Sequence, residues 1–265
     1  MNIEKHKAGD FCWIELATSD QEAAKKFYGE LFGWTASDSQ MGPNEYYTTF
    51  LLNERQVGAA YALRQRHLEK GIPPHWMVYM ATESADGSAK RAEELGGKVE
   101  MAPIDVFGAG RMAVLQDPTG ASFCVWQAKE HVGSRIAGVD GTLCAADLIT
   151  SDQQAASAFY EGLFGWQIGK EEEDAAHRYY HIFNGGEFLG GIPPADFAGP
   201  NVVAHWQIYL QVADCEASAV KAKDLGAKFY MPPLKVEDVG WMSVMEDPQG
   251  AGFALFQRAA KAAGR

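Results

Sequence analysis

Two segments of the chain carry apolar residues at positions i, i+3, i+4 and i+7, the spacing of an amphipathic helix. They are Ala24, Phe27, Tyr28 and Leu31 in one segment and Ala156, Phe159, Tyr160 and Leu163 in the other. Ser19 and Ser151 are the predicted N-caps, because each is followed three residues later by Glu or Gln. Gly33 and Gly165 follow the apolar stripes and predict the helix ends.

A second helix is predicted in each half of the chain, and the small residues on its inner face indicate close packing on a sheet. Its inner residues are Ala85, Ala89, Ala92 and Leu95 in the first half and Cys215, Ala219, Ala222 and Leu225 in the second. Gly96 and Gly226 then predict its ends. Runs rich in β-branched and aromatic residues predict short strands around the helices. In the first half these runs are 11–17, 47–52, 57–63, 76–80, 98–101, 112–116 and 122–127.

The two halves repeat one another, each as two units of strand, helix and about three strands. Segment 19–34 returns 132 residues later, and both versions end in the pattern FYxxLFGW. The pattern DPxG of residues 117–120 returns at 247–250. Several matches in the same order at a nearly constant offset indicate a tandem duplication. The predicted domains are residues 1–128 and 143–265, joined by a glycine-bearing linker over 129–142.

Composition narrows the class of protein. A net charge of −12 without any basic block argues against a nucleic-acid partner. No apolar run approaches the roughly 18 residues of a membrane span. The first nine residues are polar and do not look like a signal peptide, so a cytoplasmic protein without membrane attachment is expected. The four cysteines are singly spaced, which favours free thiols.

The repeated units and the motifs FYxxLFGW and DPxGxxF make the chain resemble the vicinal oxygen chelate superfamily, which contains glyoxalases, bleomycin-resistance proteins and extradiol dioxygenases. The resemblance extends from about Phe11 to Gln257. It implies an α+β fold of two tandem glyoxalase-like domains. In each domain, two βαβββ units would form a half-open barrel around a cavity, with the helices outside. Such motifs are informative about fold and poor guides to the reaction.

The resemblance also implies where a metal would bind, since metal-dependent members place His, Glu or Gln ligands on the first and last strands of each unit. The corresponding positions are Trp13, Met77 and Cys124 in the first copy and Ala145, Gln207 and Ala254 in the second. The glutamate expected on the strand near 57–61 or 189–192 is replaced by Gly and Ala. Because a catalytic metal needs about three protein ligands, no metal site and no cofactor are expected.

Alternation along the first strand of each copy selects two carboxylates as candidates. Leu16 and Leu148 suit the helix-covered side, so Glu15 and Asp147, one position earlier, are expected to face the cavity. A carboxylate there suits binding of a cationic group or proton transfer. It equally suits a structural pairing with a nearby Arg, Tyr or backbone N–H.

Further residues are candidates for lining the two cavities. The complete set is Trp13, Glu15, His75, Met77, Tyr79, Cys124, Asp147, His205, Gln207 and Tyr209. Two alternatives stay open. His75 and His205 either bind a ligand, fix the start of a strand or pack between the domains. The paired tyrosines at 46–47 and 179–180 either line the cavity or pack in the core.

These observations favour a protein that binds a small organic molecule without a metal. One alternative is a lyase, isomerase or dioxygenase/hydroxylase-type enzyme of the same superfamily, and another is a structural module with vestigial pockets. The catalytic residues of such an enzyme are not identifiable from the sequence. Because the duplication places two domains in one chain, a monomer or weak homodimer is expected.

Overall fold

The structure, a computed structural model, describes residues 2–64, 67, 69, 71–169, 178–197 and 203–259. The first copy contains β1 (Phe11–Thr18), α1 (Gln21–Phe32), β2 (Thr35–Gly42), β3 (Glu45–Leu52), β4 (Arg55–Ala62), β5 (His75–Ala81), α2 (Ala85–Glu94), β6 (Lys98–Val106), β7 (Gly110–Gln116) and β8 (Ser122–Ala128). The second contains β9 (Leu143–Ile149), α3 (Gln153–Phe164), β10 (Gln167–Gly169), β11 (Tyr180–Asn184), β12 (Glu187–Ile192), β13 (His205–Gln211), α4 (Cys215–Asp224), β14 (Lys228–Val236), β15 (Gly240–Glu246) and β16 (Gly252–Arg258).

Each copy builds an eight-stranded sheet from two βαβββ units. The strand orders are β2-β3-β4-β1-β5-β8-β7-β6 and β10-β11-β12-β9-β13-β16-β15-β14. The first strand of each unit pairs in parallel with the last, as β1 with β4 and β5 with β8, and the two units join where β1 and β5 pair antiparallel. The predicted α+β fold of two tandem glyoxalase-type domains is confirmed.

The start of the first helix in each copy differs from the prediction by one residue. Asp20 and Asp152, and not Ser19 and Ser151, are the N-caps, and each carboxylate accepts backbone N–H bonds from the first turn. An aspartate is as good a cap as serine and also opposes the positive end of the helix dipole. The predicted ends are confirmed, since Gly33 and Gly165 adopt the left-handed conformation with φ of 74° and 71°.

Strand β2 had no counterpart among the predicted runs. Seven of its eight residues are exposed, so no hydrophobic alternation marks it. It forms by antiparallel pairing with β3, from Thr35 opposite Leu51 to Gly42 opposite Glu45. Backbone pairing therefore creates this edge strand without burial of its side chains.

One hydrophobic core serves both copies and binds them by reciprocal hydrogen bonds. The Tyr28 hydroxyl of α1 donates to Asp247 of the second copy at 2.9 Å. Its counterpart, Tyr160 of α3, donates to Asp117 of the first copy at 3.1 Å. All four side chains lie in the buried interior, where an unpaired carboxylate is costly. The copies are consequently joined through the helix-bearing side of their sheets.

The tryptophan of the FGW motif joins the copies in the same reciprocal way. Trp34 Nε1 donates to the carbonyl of Gly141 at 2.9 Å, and Trp166 Nε1 donates to the carbonyl of Gly9 at 3.0 Å. No helix within the described ranges is long and apolar enough to cross a membrane.

Candidate functional site

The candidate site is built on the face of β1 and β9 opposite the shared core. Leu16 lies in that core together with Phe27 of α1. Trp13 belongs to a second, separate buried cluster with Tyr79 and Cys124. Glu15 points to the same side as this cluster, because its carboxylate is bonded to Tyr79. Alternation along a single strand thus separates core residues from site residues.

In the first copy, Glu15 is held between two tyrosines from strands on either side of β1. Tyr47 of β3 donates to Oε1 at 2.7 Å, and Tyr79 of β5 donates to Oε2 at 2.6 Å. Trp13 Nε1 in turn donates to the Tyr47 hydroxyl at 3.2 Å. Each carboxylate oxygen therefore has its own phenol donor, which orients the group, and the charge of Arg64 also acts on Glu15.

The second copy repeats this arrangement around Asp147. Tyr179 donates to Oδ1 at 2.6 Å, and the backbone N–H of Gly191 donates to the same oxygen at 2.9 Å. Tyr209, the counterpart of Tyr79, lies close enough to Asp147 to lower the pKa of that carboxyl. We call each carboxylate with its two tyrosines a Tyr–carboxylate–Tyr group. Its presence in both copies shows that the duplication preserved side chains far apart in sequence.

Burial alters the acidity of both carboxylates. Loss of hydration raises the pKa of Asp147 to about 6, although the interactions with Tyr179, Tyr209 and Gly191 act in the opposite direction. Burial likewise raises the pKa of Glu15, and its two tyrosines again partly offset the change. A carboxyl with a pKa near neutrality can both release and accept a proton.

The first copy fills its concave face with its own rings. The Trp13 ring packs edge-to-face on His131 with centroids 4.7 Å apart, and Trp126 Nε1 donates to the His131 carbonyl at 2.8 Å. Burial lowers the pKa of His131 to about 4, so its ring is neutral at physiological pH.

His131 lies in the 129–142 segment, whose Gly133 (φ 104°) passes against the Cys12 carbonyl, where a Cβ would collide. The segment is packed against the domain, and sequence reasoning had treated it only as a linker.

The remaining candidates take different places. His75 and His205 each bond, through Nδ1, to the carbonyl two residues earlier at 2.8 Å, which fixes the start of β5 and β13. Met77 packs beside the Trp13 cluster, opposite Glu15 in the sheet register. Gln207 stands at the same place opposite Asp147 and is buried. Their roles in binding stay predictions.

The sequence leaves Tyr47 and Tyr179 as either cavity-wall or core residues, and it does not mark His181 as a candidate. His181 lies on β11 beside Tyr179, with ring centroids 5.0 Å apart. The alternation of Tyr179 and His181 would have placed both on one face, but no hydrophobic pattern indicated which face.

The donor set at the metal positions implied by the resemblance does not fit a metal ion. Trp13, Ala145 and Ala254 offer no lone pair for coordination. Burial raises the pKa of the Cys124 thiol, which disfavours the thiolate that binds metals. Across the described residues, no three His, Cys, Asp or Glu side chains cluster as ligands.

Comparisons with known proteins agree with this architecture. The family model described as Glyoxalase/Bleomycin resistance protein/Dioxygenase superfamily matches residues 11–125 and again 141–255. "Putative glyoxylase CFP32" of Mycobacterium tuberculosis is 36% identical over 258 residues, which cover 96% of this chain and 97% of the relative. "Anthracycline biosynthesis protein DauV" of Streptomyces sp. strain C5 is 34% identical over 260 residues, covering 92% of each chain.

Solved structures show the same fold at low sequence identity. The Mn(II)-bound glyoxalase from Novosphingobium aromaticivorans superposes with a TM-score of 0.64 at 15% identity, covering 95% of this chain and 82% of the other. A catechol 2,3-dioxygenase gives a TM-score of 0.63 at 11% identity, covering 97% and 91%. With both halves matched by the family model, the chain belongs to the glyoxalase/bleomycin resistance protein/dioxygenase superfamily.

Proposed function

We propose that this protein binds a small organic molecule on its concave sheet surface without the metal used by other members of its superfamily. The observation that carries the proposal is the Tyr–carboxylate–Tyr group repeated in both copies. Burial of a carboxylate costs free energy, and two phenol donors, with the charge of Arg64 in the case of Glu15, offset only part of that cost. Its presence in both copies favours a role in recognition over a role in stability.

The chemistry of this surface suits a planar molecule with hydrogen-bond donors. Tyrosine and tryptophan rings supply flat apolar contact, and the carboxylate accepts hydrogen bonds from hydroxyl or amino groups. The 34% identity to a relative named for anthracycline biosynthesis supports an anthracycline as the molecule with which to test this proposal.

A second candidate function is metal-independent proton transfer in a lyase or isomerase. The observation that favours it is the pKa of Asp147, which burial raises to about 6. Such a carboxylate is a suitable general base at neutral pH. Turnover that disappears in Asp147→Asn while binding persists would support this enzyme over a pure binding protein.

The test combines metal analysis with a binding assay. Protein purified without a metal-binding tag is expected to contain far less than one transition-metal ion per chain. Daunorubicin, an anthracycline, is expected to bind saturably, as measured by the change in its fluorescence. At least one of the variants Glu15→Gln and Asp147→Asn should weaken this binding about tenfold, equivalent to about 1.4 kcal/mol. Asp224→Asn, which removes a charge from an exposed helix end, is the matched control.

Two results would contradict the proposal. One is a stoichiometric metal bound by residues of the concave surface. The other is either an absence of saturable daunorubicin binding or an affinity that neither carboxylate variant changes.

We also propose that the chain works as a monomer or weak homodimer, since the shared core already joins two domains in one chain.

A further inference from the structure

The first copy already holds an aromatic ring on its Tyr–carboxylate–Tyr group. The indole of Trp13 is only 4% exposed and donates its N–H to the Tyr47 hydroxyl at 3.2 Å. The Tyr47 hydroxyl in turn donates to the Glu15 carboxylate at 2.7 Å. The chain therefore shows, in its own side chains, how a planar ring with an N–H donor is bound by this group.

The second copy keeps the same frame and omits the ring. Ala145 stands opposite Tyr209 in the sheet, as Trp13 stands opposite Tyr79. Ala145 is partly exposed, so no other side chain has buried this position completely. On the adjoining strand, Ala254 replaces the larger Cys124. A buried tryptophan covers on the order of 200 Å², and the methyl group of Ala145 supplies only a small part of that contact.

The side chains that border this position differ between the two copies. One register row crosses four strands through His181, Gly191, Asp147 and Gln207. The same row of the first copy runs through Thr49, Ala59, Glu15 and Met77. The second copy thus has a histidine and an amide where the first has a small hydroxyl and a thioether.

The hydrogen bonding of the His181 side chain is incomplete among the described residues. Its Nδ1 atom is buried, and among the described residues it has no hydrogen-bond partner. An unsatisfied buried polar atom costs about 1–3 kcal/mol. The rings of Tyr179, Phe183 and Phe188 lie within 6.2 Å of the His181 ring, centroid to centroid. These rings offer flat apolar contact to an aromatic ligand, and a polar atom of that ligand would pair with Nδ1 once the surrounding rings move aside.

We propose that the second copy binds a planar aromatic molecule bearing an N–H or O–H donor, with its ring placed as the Trp13 indole is placed in the first copy. The first copy is closed to this ligand by Trp13 itself. A donor on the ring is required because the Tyr179 hydroxyl donates its own proton to Asp147 and can accept a hydrogen bond from the ring, as the Tyr47 hydroxyl accepts from Trp13. The inference rests on the proposed function and adds to it the binding copy and the class of ligand.

Indole is the probe that tests this inference, because it is the Trp13 side chain as a free molecule. Isothermal titration is carried out with indole and with 1-methylindole, which lacks the N–H donor. The full-length wild-type chain should bind one indole, and Trp13→Ala should bind two. Ala145→Trp should bind none, and the double variant should bind one. 1-Methylindole should bind at least tenfold more weakly than indole to the wild type.

Several outcomes would overturn the inference. They are an absence of indole binding to the wild type, an unchanged affinity in Ala145→Trp, or equal affinities for the two indoles. If Ala145→Trp does not fold by circular dichroism, Ala145→Leu fills the same position with a smaller side chain and should lower the affinity about tenfold. Loss of daunorubicin binding in Glu15→Gln but not in Asp147→Asn or Ala145→Trp would refute this inference and leave the proposed function standing. No effect of either carboxylate variant would refute both.

Discussion

Replacing Asp147 by asparagine should change how the stability of the protein depends on pH. In the folded chain, burial raises the pKa of Asp147 to about 6 from an ordinary value of 3.8. The folded state therefore binds this proton more tightly than the unfolded state does. The stability that the bound proton contributes is fully present below pH 3.8 and is lost as the pH rises through about 6. The pKa difference corresponds to about 3 kcal/mol in total, of which about 1.4 kcal/mol is lost between pH 5 and pH 8.

Asparagine keeps the shape of the side chain and cannot titrate. Its amide oxygen can still accept from Tyr179 and Gly191, which both donate to Oδ1 of Asp147. The free energy of unfolding is measured by urea titration followed by tryptophan fluorescence at pH 5, 6, 7 and 8. The variant should gain about 1.4 kcal/mol relative to the wild type across this range.

The exposed Asp224→Asn is the control for removal of a negative charge, and its difference from the wild type should vary little with pH. A constant difference between Asp147→Asn and the wild type from pH 5 to pH 8 would refute the reasoning. So would a variant that loses stability, relative to the wild type, as the pH rises.

Three further predictions concern the packing of the two copies. Tyr28→Phe removes the buried donor to Asp247 and should lower the free energy of unfolding by about 1–3 kcal/mol in urea titrations. Tyr160→Phe should lower it by a similar amount, because the bond from Tyr160 to Asp117 is equivalent. Unchanged stability in both variants would contradict a contribution of these reciprocal bonds. Gly191→Ala places a Cβ against the Tyr179 ring, so the variant should be less stable and the ring should be displaced. A crystal structure of the variant with the ring in its original place would contradict this prediction. Light scattering at micromolar concentration should find a monomer or weak dimer, and an obligate tetramer would contradict this expectation.

Local patterns in the sequence predicted most of the fold. The stripe of Phe27 and Tyr28 marked α1, and the repeat of that stripe at Phe159 and Tyr160 marked the duplication. The stripe depends on residues three and four positions apart, the range over which helix periodicity acts. The duplication follows from comparing one such stripe with another 132 residues later. Strand β2 was not predicted because its side chains are exposed. Its position is set by backbone pairing with β3, which a hydrophobic pattern does not indicate.

Alternation also predicted which side of the strand Glu15 occupies, because facing in a strand depends only on neighbouring residues. It did not predict the partners of Glu15. Tyr47 and Tyr79 lie 32 and 64 residues away, and only the register of β1 with its neighbours brings them to the carboxylate.

The sequence by itself determined the duplication, the fold class, the facing of the first strand and the absence of suitable metal-binding side chains at three ligand positions. These properties follow from residue identity and short-range spacing. The tertiary structure decided that Trp13 and His131 cover one concave face and that His181 borders the other. Those contacts join elements distant in sequence, and their geometry depends on sheet register and packing, which no local pattern encodes.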